Sequence, residues 1–383
     1  MSAQVLYRKY RPRHFDELVG QEHVVVAIRN AFKMGRVAHA YLFSGPRGVG
    51  KTTMARLIAK SLNCSKNGNG AVPCNTCTSC KDFNEGRAVD LIEIDAASNR
   101  GIDEIRELRE GVRFVPVQGS YKTYIIDEVH QLTKEAFNAL LKTLEEPPPH
   151  AVFVLATTEL EKVPATIVSR TQHYTFRRPS AAEIAGRLMH VAKKEGVTLA
   201  DDGARLISFA AEGGVRDAES ILGQIMAVED KKITRAEVEE ILGLPKREAV
   251  KEMFGMIAKR DLPSAFGLIQ RVTDSGYDLA HFSKLLMQYF RSALFLKIDP
   301  SLKQYIEMEL LPDEYECIIA NLGAFSREDL ARGVDIIFNH SQRFKRTPIP
   351  QLPLELMAVE LIGDSEKAVA GNFHEKEIKK EIS

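Results

Sequence analysis

Four of the five cysteines sit in one run, Cys64-x9-Cys74-x2-Cys77-x2-Cys80, a spacing that suits a metal. Thiolates at such intervals can close a tetrahedron around zinc, and a site filled by four protein sulfurs has no open position, which makes it structural rather than catalytic. In a reducing compartment the clustering favours a metal over disulfides. A redox dithiol or an iron–sulfur centre is the competing chemistry for the same residues. The stretch after the first cysteine, Ser65-Lys-Asn-Gly-Asn-Gly70, is too polar and glycine-rich to bury a core of its own, so a bound metal would have to serve as one. Cys317 stands alone in Glu314-Tyr-Glu-Cys-Ile-Ile-Ala and reads as a small buried hydrophobe on a helix.

Just upstream, Gly45-Pro46-Arg47-Gly48-Val49-Gly50-Lys51-Thr52 has the pattern of a nucleotide phosphate loop. Gly45, Gly48 and Gly50 let consecutive backbone N–H groups turn toward the β and γ phosphates, and the helix that follows favours anions at its N-terminus. Lys51 would reach the β/γ oxygens and Thr52 would place its hydroxyl on Mg²⁺; with Thr53, these residues are the expected ATP contacts of the loop. A glycine-rich turn that binds nothing is the bland alternative, but an apolar strand before the motif and an amphipathic helix after it supply the required context. Asp127-Glu128 ends the apolar run Tyr124-Ile-Ile126, which puts both carboxylates at the C-terminal edge of a strand, where open α/β sheets bind ligands. Asp127 is then the Mg²⁺ partner and Glu128 the general base that polarises an attacking water. Without a phosphate loop the pair would read as a solvated strand end.

The elements that must position these residues follow from periodicity. Five apolar runs, Ala40–Ser44, Val89–Ile94, Tyr121–Ile126, Ala151–Ala156 and Gln172–Phe176, read as strands. Between them Met54, Leu57, Ile58 and Leu62 make one helix face, Ile102, Ile105, Leu108 and Val112 a second, and Phe137, Leu140, Leu141 and Leu144 a third, which ends at Pro147-Pro-Pro149. This is the pattern of a parallel five-stranded sheet covered by helices, an α/β core over 1–178. After Pro179 the strands stop and every segment reads as helix. Gly213-Gly214 and Gly243-Leu-Pro245 punctuate this part into a small helical domain at 179–242, a larger one at 243–365 and a charged tail at 366–383.

At 383 residues the chain has room for two or three domains. Hydrophobic residues at 44% and charged residues at 27% point to a soluble globular protein rather than a disordered or membrane one, and no apolar signal core follows Met1, so the chain reads as cytoplasmic. Lys plus Arg equals Asp plus Glu at 52 each, so any nucleic-acid contact must be a local basic face.

Leu6-Tyr-Arg-Lys-Tyr-Arg-Pro12, Phe15, Val19-Gly-Gln21, His39-Ala-Tyr-Leu-Phe-Ser-Gly-Pro46, the cysteine cluster, Ile92-Glu-Ile-Asp-Ala-Ala-Ser98, Ile126-Asp-Glu-Val-His130 and Asn138-Ala-Leu-Leu-Lys-Thr-Leu-Glu-Glu-Pro147 together closely resemble the gamma/tau subunits of bacterial DNA polymerase III, the AAA+ ATPases of the clamp loader. The likeness runs from residue 1 to about 365. It implies an AAA+ core with a zinc-binding insertion at 64–80, a helical lid at 179–242, and an oligomerising collar with Gln351-Leu-Pro-Leu-Glu-Leu-Met357 on its last strong helix. It also implies roles for residues that would otherwise be unremarkable. Thr158, in Leu155-Ala-Thr-Thr158, is the expected sensor-1 residue in preference to Thr157. Arg170 in Ser169-Arg170 resembles the arginine of a Ser-Arg-Cys motif that reaches a neighbouring subunit's ATP; Thr171 stands where the cysteine is usual. Arg216 in Gly214-Val-Arg216-Asp-Ala resembles sensor 2 on the lid. Tyr7, Arg11 and Val19 would line the adenine end. By themselves Arg170 and Arg216 are surface arginines. Asn99, Arg100 and Gly101, at a helix start, correspond to positions that track DNA phosphates in relatives, and Arg100 is the DNA-contact candidate against the reading of an ordinary solvated charge.

The resemblance further implies the cofactors ATP, Mg²⁺ and Zn²⁺. The implied partners are the delta and delta prime subunits, further gamma/tau copies, a sliding clamp and primer-template DNA bound without regard to sequence. The implied activity is that of an ATPase within a DNA polymerase holoenzyme, opening the clamp and loading it on primed DNA, with no polymerase active site in this chain. Two other readings are a nucleotide-binding structural subunit of the same complex and a hexameric AAA+ DNA motor.

Overall fold

The computed structural model describes residues 5–66, 72–228, 231–243, 247–306, 310, 312–344 and 347–363. Five strands, β1 (Ala40–Ser44), β2 (Leu91–Asp95), β3 (Lys122–Asp127), β4 (Ala151–Thr157) and β5 (Gln172–Thr175), form one parallel sheet in the order β2-β3-β4-β1-β5. The central strands are near-continuous apolar runs because both faces are covered. On one face Leu42, Tyr124, Phe153 and Leu155 pack with Ile105, Leu108, Phe137 and Leu140. On the other Tyr41, Phe43, Ile125 and Val154 pack with Val24, Ile28, Met54, Leu57 and Ile58.

The register decides where chemistry can happen. Ser44 lies opposite Thr157, and Asp95 opposite Asp127, so β1 to β4 all end at one edge. Gly45, Ala96, Glu128 and Thr158, the residues just beyond those ends, emerge there together. The expected strands are thus all present, with β2 and β3 ending one residue later than the apolar runs, at the carboxylates of Asp95 and Asp127.

Among the described residues the chain forms two compact units, Met1–Arg235 and Ala236–Ser383. In the first, helix Ala181–Lys194 opens on a capping box between Ser180 and Glu183, and helices Asp201–Ala210 and Val215–Met226 follow. One expectation is corrected: strands do not stop after Pro179. Two-residue strands β6 (Thr198–Leu199) and β7 (Lys232–Ile233) pair in parallel. Each is too short to show a period-2 pattern, and its role is to bury Leu199 and Ile233.

The second unit is helical throughout its described residues. Its core includes Phe254, Phe282, Tyr289, Phe290 and Phe325, and it buries an ion pair in which Arg247 donates to both carboxylate oxygens of Glu314 at 2.7 Å. Cys317, expected to be buried, is only half-buried on helix Pro312–Asn321, where one face of its turn is left to solvent. Leu352–Ile362 carries the Gln351–Met357 motif. The expected charged tail, and parts of the Ser65–Gly70 and Gly243–Pro245 segments, lie outside the described residues. No helix among the described residues is long and apolar enough to cross a membrane.

Candidate nucleotide site and cysteine cluster

The phosphate loop joins β1 to helix Lys51–Leu62, and its glycines are required by geometry. Gly45 has φ 141°, and a Cβ there would sit 2.4 Å from the Phe176 carbonyl oxygen. Gly48 and Gly50 have φ 78° and 103°, a region that costs an L-residue about 1–2 kcal/mol. Gly50 caps the helix with no side-chain acceptor, leaving the first-turn N–H groups to a ligand. The loop borders a cavity of about 500 Å³ lined by Arg47, Gly48, Val49, Gly50, Lys51, Thr52 and Thr53 together with Asp127 and Glu128. Gly45 and Pro46 stand behind it, and Lys51 Nζ donates to their carbonyls at 2.7 Å each. Burial lowers the Lys51 pKa, opposed by Glu128 and Asp127.

Thr52 and Asp127, separate in sequence, are in contact: the Thr52 hydroxyl donates to Asp127 Oδ2 at 2.6 Å. Those two oxygens are where an octahedral, oxygen-seeking Mg²⁺ would be held. Glu128, in the left-handed region at φ 48°, accepts from the N–H of Thr158 at 3.2 Å and from its hydroxyl at 2.9 Å. Thr157 instead points into the protein, fully buried, with its Oγ1 3.0 Å from His130 Nδ1. The two threonines thus face different ways, and only Thr158 reaches the carboxylate.

The other end of the cavity is built from the N-terminal arm and the helices after Pro179. Tyr7, Arg11 and Val19 line it, and the Arg216 guanidinium stacks 4.6 Å over the Tyr7 ring. Sequence reasoning missed several neighbours, among them Glu17, Leu18, Asp95, Arg187 and Glu219. Arg187 and Glu219 form a buried ion pair at 2.9 Å, and Arg187 also donates to the Tyr10 carbonyl. Burial raises the Glu219 pKa despite that arginine. Neither residue belongs to a local motif, so no sequence signal marked them.

Arg170 does not line this cavity. It follows the short helix Ala165–Val168 and pairs with Glu145 at 2.8 Å on the surface. Arg100 is exposed just before helix Ile102–Val112, whose N-cap is Gly101, and its Nε donates to the Ala97 carbonyl at 3.0 Å.

At the far end of helix Lys51–Leu62 the four cysteine sulfurs lie within 4.8 Å of one another. Zinc–sulfur bonds of about 2.3 Å in a tetrahedron need sulfurs a little under 4 Å apart, so the cluster fits such an ion with little adjustment. Backbone N–H groups of Cys74, Cys77 and Cys80 point at sulfurs at 3.3–3.4 Å, as suits thiolates. Hydrogen bonds from Thr76 pull the Cys74 thiol down to about 5, while burial pushes the fully buried Cys80 up. Lys60, buried beside the cluster, donates to the Arg13 carbonyl, Asn75 Oδ1 and Asn84 Oδ1 at 2.7–2.9 Å.

Comparison with known proteins agrees along the whole chain. The family described as "DNA polymerase III, delta subunit" matches residues 20–180, the "DNA polymerase III clamp loader subunit, ATPase lid domain" matches 183–230, and "DNA polymerase III subunits gamma and tau domain III" matches 233–370. The DNA polymerase III subunit gamma of Buchnera aphidicola subsp. Schizaphis graminum is 39% identical over 84% of this chain and 88% of its own length. This chain belongs to the DNA polymerase III gamma/tau family. The subunit tau of Bacillus subtilis is 38% identical over 97% of this chain and 65% of its own length, so this family member spans about two thirds of that relative. The subunit tau of Escherichia coli is 47% identical over 63% of the chain. In this family member the helices Asp201–Ala210 and Val215–Met226 and most of Ala181–Lys194 fall in the stretch matched by the ATPase lid domain, and the helices from Arg247 on in the stretch matched by gamma and tau domain III.

Proposed function

We propose that the chain is an ATPase subunit of a clamp loader, using ATP to open a sliding clamp and close it around primed DNA in the cytoplasm. The observation that carries this reading is the meeting of Lys51, Thr52, Asp127 and Glu128 around one cavity with Arg170 left outside it. ATP would lie with its phosphates on the loop from Gly45 to Thr53 and its base between Tyr7, Arg11 and Val19. Thr52 and Asp127 would hold Mg²⁺, which supplies charge neutralisation at the phosphates when bound. Glu128 would take the proton of the attacking water, Thr158 would hold that carboxylate in register, and Arg216 would contact phosphate from the lid.

Arg170, outside its own cavity and paired with Glu145 on the surface, suits a neighbouring copy's nucleotide, which makes hydrolysis a property of the assembly with delta, delta prime and further gamma/tau chains. Cys64, Cys74, Cys77 and Cys80 would hold a structural Zn²⁺. Arg100 at a helix start suits a phosphate of primer-template DNA. The division into a core at 1–178, a lid at 179–242 and a collar at 243–365 is part of the same reading. The intact phosphate loop and Asp127-Glu128 disfavour a nucleotide-binding arm that never hydrolyses.

The test is Arg170→Ala. An arginine supplied in trans contributes about 10³–10⁵ in rate, so clamp- and DNA-stimulated turnover of the assembly should collapse while the isolated chain still binds ATP. Loss of binding by the isolated chain, or unchanged turnover of the assembly, would show the intersubunit role to be wrong.

A further inference from the structure

The side chain of His130 is 3% exposed, although it follows closely on the carboxylates of β3. Its Nδ1 lies 3.0 Å from Thr157 Oγ1 and 3.5 Å from Glu128 Oε2, and its Nε2 lies 3.1 Å from Glu159 Oε1. Thr157 Oγ1 also accepts from the Glu159 N–H at 3.0 Å. One proton arrangement satisfies every group: the Glu159 N–H donates to the Thr157 hydroxyl, that hydroxyl donates to Nδ1, and Nε2–H donates to the Glu159 carboxylate. Gln131 Nε2 lies 2.8 Å from His130 Nε2, so with Nε2–H as donor this amide is turned end for end and its oxygen shares that hydrogen with Glu159. Lys162, 2.6 Å from Glu159, holds that carboxyl below the usual range and so keeps it an acceptor.

We propose that His130 is a positioning residue for ATP hydrolysis, closing a hydrogen-bonded ring that fixes the loop after β4 and, through Thr158, the carboxylate of Glu128. Thr158 lies between the two residues that the ring holds, and its N–H and hydroxyl are the groups that grip Glu128. Without the imidazole the Thr157 hydroxyl and the Glu159 carboxylate lose their common partner, and the loop can shift while the phosphate loop stays as it is. The ring touches no phosphate-loop residue, so nucleotide affinity is untouched. The role rests on the ATPase reading above.

The test uses the full chain assembled with its partner subunits, clamp and primed DNA, with turnover and nucleotide affinity measured separately. A displacement of about 1 Å at a reacting group can cost 10²-fold, so His130→Ala should lower kcat by about that factor and leave the dissociation constant of a non-hydrolysable ATP analogue unchanged. His130→Asn places an amide oxygen where Nδ1 sits, keeps the Thr157 bond and should recover much of the loss. His130→Gln reaches only toward Glu159 and should recover less. Wild-type turnover by His130→Ala overturns the role. So does an equal loss of turnover, nucleotide binding and melting temperature in all three variants, which marks a merely structural histidine. Hydrolysis that survives Glu128→Gln in the assembly removes Glu128 as the base and this role with it, whereas a wild-type assembly that hydrolyses no ATP sinks the ATPase reading itself.

Discussion

Helix Lys51–Leu62 carries a site at each end, and the two are built on opposite terms. At its N-terminus Gly50 provides no capping side chain, the loop N–H groups border an open cavity, and Lys51 rests on the carbonyls of its own loop. At its C-terminus Lys60 satisfies three acceptors at once. Asn63 accepts from the N–H groups of Ser120 and Tyr121 at 2.9 Å and donates to the Tyr121 carbonyl at 2.8 Å, and the cysteines turn their sulfurs toward one another. A site for an exchanging anion keeps donors whose best partner is the ligand, whereas a site for a permanent ion has its surroundings paired in advance. One helix therefore joins a part meant to change state to a part meant to stay fixed.

The largest effect that could break this contrast lies at the cysteine end. Structural zinc contributes on the order of 10–16 kcal/mol in small modules, so Cys80→Ser, which removes the most deeply buried thiol, should lose a stoichiometric zinc and melt far below wild type. The fraction that remains folded should still bind nucleotide. Iron in metal analysis, or no metal in protein purified without chelator, would mean that the cluster is not the fixed site supposed here.

Lys51→Ala should do the reverse. A hydrogen bond to a charged group is worth about 1.5–3 kcal/mol, and Lys51 is the residue that the phosphate-loop pattern assigns to the β/γ oxygens, so calorimetry should find nucleotide binding lost or weakened by more than about tenfold. Melting temperature should fall far less than with Cys80→Ser, because the two carbonyls that lose their donor, those of Gly45 and Pro46, cost about 1–3 kcal/mol each. Wild-type affinity would place the nucleotide elsewhere.

The two ends also differed in how far the sequence disclosed them. Gly45 to Thr52 and the four cysteines were legible because each is a local string whose chemistry depends on spacing along the chain. The five strands were legible because their apolar runs are set by burial on both faces. Arg187, Glu219 and Asn75 were not, since each acts through a partner distant in sequence: Glu219 for Arg187, and Arg13, His14 and Lys60 for Asn75. His130 stood inside a recognised string, but its ring of partners depends on the β3–β4 register, which no single string encodes. The pairing of Thr198–Leu199 with Lys232–Ile233 failed for the same reason, two residues being too few to carry a period.

Lys60 offers a smaller effect that sharpens the contrast. Lys60→Met keeps the apolar stem but leaves the Arg13 carbonyl and two asparagine oxygens without their donor. These acceptors are only partly buried, so each bond lost costs about 0.5–1.5 kcal/mol net, and the variant should melt measurably below wild type even with metal bound. A melting temperature equal to wild type would show that the C-terminal end is held by the metal alone.

The smallest effect asks whether the two ends are coupled. Asn75, between Cys74 and Cys77, has φ 56°, a conformation that glycine adopts freely. Its Oδ1 accepts from Lys60 at 2.7 Å, and its Nδ2 lies 3.2 Å from the Arg13 carbonyl and 2.7 Å from His14 Nε2. Arg13 and His14 follow directly on Arg11 and Pro12, which line the nucleotide cavity. Asn75→Gly therefore deletes the brace between the cysteine module and the N-terminal arm without straining the backbone. Asn75→Ala deletes it and adds about 1–2 kcal/mol of left-handed strain, so comparing the two variants separates the brace from the turn. If the brace steadies the arm, Asn75→Gly should lower the melting temperature slightly and weaken nucleotide binding by a few-fold, roughly the worth of one ordinary hydrogen bond at about 1 kcal/mol, with zinc content unchanged. Unaltered affinity in both variants would leave the fixed end and the exchanging end joined by the helix and by nothing else.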